Sequence, residues 1–199
     1  MTGRFEGLTK ISGQPAARIL AMANVKLDTK LDAPANAPVA TVLDELQEKQ
    51  AHLDMLRLLA VSLPVRERIW WACLAGRDIV EASGPSPTLE AAETWVFKPS
   101  DSTRQEAMTA LDIAELDDDA QLCATAVAYS DDTLGPGELS KYPAPPGASQ
   151  MAAFGVNMKA LALHGDEMEM FADRLIDRAV DIARGGNGLP NDFEAKGEE

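Results

Sequence analysis

Aromatic residues make up only 5% of this 199-residue chain. Ala, Leu and Met fill its apolar positions instead, side chains that lose little rotamer freedom in a helix, whereas the β-branched and aromatic residues that suit a pleated sheet are scarce. Cysteine is nearly missing: two residues exclude a disulfide framework. Cys73 and Cys123 stand in the apolar contexts Trp-Trp-Ala-Cys-Leu-Ala and Leu-Cys-Ala-Thr-Ala, which predicts reduced, buried thiols. Histidine is equally scarce, and the two present, His52 and His164, fall at expected helix ends, so no motif supports a Cys/His catalytic pair. No apolar run approaches the roughly 18 to 20 residues of a membrane span. The opening stretch Met1–Lys10, interrupted by Arg4 and Glu6, has no signal-peptide core, so the expected location is cytoplasmic with no membrane partner.

Basic clusters are lacking too. The chain holds 18 Lys/Arg against 32 Asp/Glu, a formal net charge of -14, which speaks against nucleic acid because phosphate binding draws on grouped cations. The negative charge is uneven. Residues 1–76 carry nine Lys/Arg and eight acids, whereas residues 100–140 carry one Arg and ten acids. Asp117, Asp118, Asp119, Asp131 and Asp132 in this stretch form a candidate acidic docking face for a basic protein surface, with solubility as the plainer account.

The apolar spacing present is helical. A short helix is expected over 14–22, with Pro15 in its first turn where a missing N–H costs nothing. The Pro- and Ala-rich stretch 33–38 then closes a loosely attached arm, 1–37. A helical domain follows over 38–185, its stripe shifting near Lys49–His52 to give helices over 38–49 and 52–62. Pro64 starts the next helix, to about Ala82. Within it Ile69-Trp70-Trp71-Ala72-Cys73-Leu74-Ala75 is apolar all the way round, which predicts enclosure at the centre of a bundle. Further helices are expected over 89–97 with Thr88 as N-cap, 101–115 capped by Ser100 or Asp101, and 120–129 opened by the three aspartates. Residues 131–147, with three glycines and four prolines, read as a long irregular crossing. Two last helices run over 148–163 and 166–184. On the second, Met168, Phe171, Ala172, Leu175, Ala179 and Ile182 form the core stripe; Glu169, Asp173, Asp177 and Asp181 lie opposite, laced by ion pairs with Arg174 and Arg178. Residues 186–199 read as a disordered acidic tail. No segment alternates with period two, so the expected fold is all-α: a compact bundle of about seven to eight short antiparallel helices, with helix pairs stacked as in solenoids as a variant.

Sites for chemistry are few. Gly185-Gly186-Asn187-Gly188 is no phosphate loop, because no helix follows it. The acidic rows match neither an EF-hand loop nor the Glu-x-x-His pairs of di-iron bundles, so no metal and no cofactor is assigned. The tryptophan helix offers a candidate pocket of Arg66, Trp70, Trp71, Cys73, Glu93 and Trp95; core packing by large indoles is the favoured reading of the same residues.

The block Leu63-Pro64-Val65-Arg66-Glu67-Arg68-Ile69-Trp70-Trp71-Ala72-Cys73-Leu74-Ala75, followed by Ala91-Ala92-Glu93-Thr94-Trp95-Val96, resembles a family of uncharacterised bacterial proteins, from about residue 38 to Asp181-Ile182-Ala183-Arg184-Gly185. These share a Leu-Pro-x-Arg-Glu-x-x-x-Trp-Trp-Ala-Cys core. The resemblance implies no activity and no catalytic residue. Some relatives lie near type VI secretion genes, which implies an accessory part in that contact-dependent apparatus. The expected function is a non-enzymatic protein–protein interaction module with an unknown protein partner, a secretion-system component being the candidate; the alternative is a small-molecule binder or enzyme using the tryptophan pocket.

Overall fold

The computed structural model describes residues 3–83, 86–114 and 118–189, and among them it contains α-helices and no strand. The order is α1 (Ala16–Met22), α2 (Val39–Glu48), α3 (His52–Ser62), α4 (Val65–Ser83), α5 (Pro87–Phe97), α6 (Asp101–Ile113), α7 (Gln121–Ala128), α8 (Ala148–Ala162) and α9 (Met168–Arg184). The stripe shift between α2 and α3 has a cause in the backbone: Gln50 adopts φ 54°, in the left-handed region, which ends one helix and turns the next. Pro64 separates α3 from α4, and its carbonyl accepts the Arg68 N–H in the first turn of α4.

α4 is the hub, packing against α5, α7, α8 and α9. α3 is enclosed as well, with Met55, Leu56, Leu58, Leu59 and Ala60 all sealed from solvent against α8 and α9. The free cysteines Cys73 on α4 and Cys123 on α7 are both buried, as expected. At the α4–α7 approach a Cβ added to Gly76 would stand 2.9 Å from the Cys123 sulfur, so only glycine fits.

Four local expectations are corrected. The N-cap of α5 is Ser86, whose hydroxyl accepts the Leu89 N–H at 3.1 Å; Thr88 is already inside the first turn. Met168 is exposed rather than in the α9 stripe, whose other members Phe171, Ala172, Leu175, Ala179 and Ile182 are buried. The acids and arginines of α9 pair outside their own helix: Arg4 bridges Asp173 and Asp177, each at 2.8 Å, while Arg174 and Arg178 turn to Asp78 of α4. The beginning of the expected tail is ordered against the bundle, since Gly188 N–H donates to the Asp181 carboxylate at 2.8 Å. Residues 190–199 lie outside the described residues, as do Asp117 and the last expected residue of the 101–115 helix.

Residues 3–37, expected as a loose arm, lie against the bundle. Phe5 is 1% exposed and joins the core with Ala16 and Leu20. Polar staples hold the rest: the buried Asp54 carboxylate accepts the backbone N–H groups of Asp28 (3.2 Å) and Thr29 (2.7 Å). Within 131–147 the chain is irregular except for one 3-10 turn, Gly137–Lys141, and a single bridge between Thr133 and Pro143.

Candidate functional site

Successive helical residues point about 100° apart, and that angle divides the tryptophan pair. Trp71 is fully sealed, and its indole N–H donates to the Leu175 carbonyl of α9 at 3.0 Å, satisfying the one polar atom that burial would otherwise penalise. Trp70 is only half-buried. Its N–H donates to the Asn187 carbonyl at 2.8 Å, and its ring meets Phe97 edge-on, centroids 5.7 Å apart. Phe97 itself is 67% exposed. The enclosure expected on every side of this helix therefore holds for Trp71 and not for Trp70.

Around Trp70 lies a groove of about 280 Å³, lined by Lys10, Arg66, Glu67, Val96 and Phe97 among others. Lys10 pairs with Glu67 at 2.7 Å. The Arg66 Nε–H donates to the Val96 carbonyl at 2.7 Å, which holds the guanidinium at the groove, and among the described residues no carboxylate pairs with it. Arg77 stacks over the Trp70 ring at 4.8 Å while pairing with Glu93 at 2.6 Å. Of the six residues singled out in the sequence, Arg66 and Trp70 line the groove and Glu93 reaches its aromatic edge through Arg77. Trp95 is buried on α5 beside Val96, and Trp71 and Cys73 belong to the core. A hydrogen bond with Cys123 and burial together push the Cys73 thiol well above its ordinary range, so it stays protonated and a poor nucleophile.

Asp118, Asp119 and Asp131 serve the fold individually. Asp118 accepts from the hydroxyls of Ser86 (2.7 Å) and Thr88 (2.8 Å) and from Ala120 N–H (3.1 Å), clasping the start of α5 to the start of α7. Asp119 pairs with Lys159 at 3.2 Å, and Asp131 with the buried Arg104 at 2.5 Å. Burial raises the Asp131 carboxyl, but hydrogen bonds from Thr133 and the charge of Arg104 hold it below its ordinary value. Among the described residues neither Asp118 nor Asp132 makes an ion pair, though Asp132 is the charge facing the buried Arg68.

Two further concavities lie apart from the candidate tryptophan pocket. One, of about 360 Å³, lies between Leu53 and Met168, with Asp28 and Glu169 on its rim. The other contains Asp132, Ser62 and Gln150. Arg68 is 5% exposed and bonds, among the described residues, to the Leu63 carbonyl (3.1 Å) and the Ser149 hydroxyl (3.2 Å). Burial pushes Arg68 down to about 10, with Asp132 as the opposing charge.

Among the described residues no helix is long and apolar enough to cross a membrane, and no cluster of three or more His, Cys, Asp or Glu has the makings of a metal site. Comparison with curated proteins and with solved structures finds no match. Residues 42–183 match the DUF6931 family, described as a family of unknown function; this span takes in α3 to α8 whole, with Trp70, Trp71, Cys73 and the Ala91–Trp95 element inside it, and the chain belongs to that family.

Proposed function

We propose that this chain is a non-enzymatic interaction module that captures a protein segment on the Trp70 groove. The observation that supports this reading is the half-buried Trp70 set against the exposed Phe97 beside Arg66, in a chain whose other tryptophans are buried. Trp and Arg are the side chains that most often dominate binding energy, through large rigid area and a planar fork of donors. The partner is defined by what the groove leaves unmatched: an apolar or aromatic anchor to cover Phe97 and Trp70, with a carboxylate alongside for Arg66. A component of a contact-dependent secretion apparatus is the partner to test first, on the strength of the sequence resemblance.

Selection of a random peptide library on the full chain tests the proposal. Enriched peptides should carry an apolar anchor next to Asp or Glu, and in fluorescence polarisation Trp70→Ala and Arg66→Ala should each weaken them by about tenfold or more. Enriched peptides that bind Trp70→Ala and Phe97→Ala proteins undiminished would place the interaction elsewhere and overturn the assignment.

A further inference from the structure

The Trp70 groove is bounded on one side by the chain's own exit from α9. Gly186 and Asn187 line it together with Arg66, Trp70, Val96 and Phe97, and the Asn187 carbonyl accepts the Trp70 indole N–H at 2.8 Å. Gly185, at φ 104°, ends α9 in the left-handed region, and the Gly188 N–H donates to the Asp181 carboxylate at 2.8 Å, so the backbone is fixed on both sides of Asn187. The sequence that follows Leu189 therefore starts within two residues of the groove.

That sequence carries what the groove leaves unmatched. Residues 190–199 read Pro-Asn-Asp-Phe-Glu-Ala-Lys-Gly-Glu-Glu, with one aromatic, Phe193, set directly between Asp192 and Glu194, and with four acids against one lysine. Six residues separate Phe193 from Asn187, a reach of up to about 20 Å in extended chain. Leu189-Pro190-Asn191-Asp192 places proline and asparagine at the two central positions of a β-turn, the signature of a chain reversal. A turn there sends Phe193 back toward Asn187, and so toward Trp70 and Phe97.

Charge selects the same surface. Lys10 of the groove is paired with Glu67 at 2.7 Å, whereas among the described residues no carboxylate pairs with Arg66. The neighbouring groove along α9, which Leu189 enters, is lined by Asp173, Asp177 and Asp181, which repel an acidic segment, and its Arg174 and Arg178 already face Asp78. Building on the reading of the Trp70 groove as a peptide-capture site, we propose that residues 192–194 of this same chain are its resting occupant, Phe193 against Phe97 and Trp70 and a flanking carboxylate on Arg66. A partner then binds by displacing them. A short tether supplies an effective concentration of about 1 mM, so an intrinsic Kd of about 0.1 mM keeps the groove filled roughly ten to one and weakens a competing partner by about tenfold.

Fluorescence polarisation with a labelled synthetic peptide of residues 189–199, titrated with full chain to about 1 mM, tests this. The Phe193→Ala chain, whose own segment no longer competes, should bind the peptide saturably with a Kd of about 0.1 mM, and the parent chain should bind it about tenfold more weakly. Adding Arg66→Ala or Phe97→Ala to the Phe193→Ala chain should weaken the peptide by about tenfold or more; Phe97 is 67% exposed, so its loss keeps the fold. Absence of saturable binding to the Phe193→Ala chain, equal affinity for the parent chain, or binding undiminished by Phe97→Ala would each overturn the proposal. Library peptides that need Trp70 while the 189–199 peptide fails to bind would overturn it too, and would leave the capture site itself standing. Self-association of the parent chain in sedimentation velocity, abolished by Phe193→Ala, would put the segment on a second copy and overturn the arrangement within one chain.

Discussion

Trp70 and Trp71 share a residue type, a helix and a peptide bond, yet one is sealed against α9 and the other stands at a groove with its edge on an exposed phenylalanine. The two sides of α4 differ in what covers them, not in what they are made of. An apolar run closed on every side in sequence can still have one side covered by an aromatic edge, an arginine and the carbonyl of a distant loop. Residue chemistry sets what a side chain can contribute; enclosure decides whether it contributes to stability or remains for a partner.

Measurements on variants can break that comparison. The largest effect is expected for Trp71→Ala, which leaves a cavity in the hub and should cost about 3 to 5 kcal/mol in urea unfolding. Equal costs for Trp70→Ala and Trp71→Ala would defeat the distinction between the two sides.

Enclosure should matter for polar residues as well. Burial raises the carboxyl of Asp54, but hydrogen bonds from Thr29 and Asp28 and the charge of Arg57 outweigh it and hold the group below its ordinary value of 3.8. A carboxylate depressed in the folded state stabilises above the unfolded value and loses that contribution as pH falls through the folded one. Asp54→Asn should therefore cost about 1 to 3 kcal/mol at neutral pH, by denaturant titration. The difference from the parent protein should shrink as pH drops below 3.8. Asp119→Asn, at an exposed ion pair, should cost less than about 1 kcal/mol under the same conditions. Trp70→Ala should fall between the Trp71→Ala and Asp119→Asn costs, at about 2 kcal/mol, because its ring is only partly buried.

The smallest effect is a null one that sharpens the picture of the inner side. Cys73 and Cys123 are buried and Cys73 is held protonated, so a thiol reagent such as dithionitrobenzoate should label neither in the folded protein and both after unfolding. Rapid labelling of the native chain would show that the inner side of α4 opens.

Much of the helical layout was written in local pattern. The Gln50 break, the Pro64 punctuation and the Ser100 cap each act through a few neighbouring residues, and the helices around them fall within a few residues of expectation. What sequence could not show is which partner a polar residue finds across space. Arg174 and Arg178 have acids at helical spacing on their own element, yet Asp78 of α4 takes both. Asp118 looked like a dipole complement at a helix start and turns out to clasp α5 to α7 as well. The Trp70 side of the candidate pocket was legible because its residues lie within one helix and the next. The Ser62–Asp132–Gln150 cavity was not, since it gathers residues from opposite parts of the chain that have no local signature.

The burial of Phe5, Ala16 and Leu20 beneath residues 3–37 bears on how this family's domain is delimited. The family match begins at residue 42, downstream of every one of those side chains and of the Asp28 and Thr29 amides that Asp54 holds. A fragment trimmed to the match would be missing its own lid. It would present to water an apolar floor that the full chain keeps dry, and would behave as a sticky remnant rather than a minimal working unit.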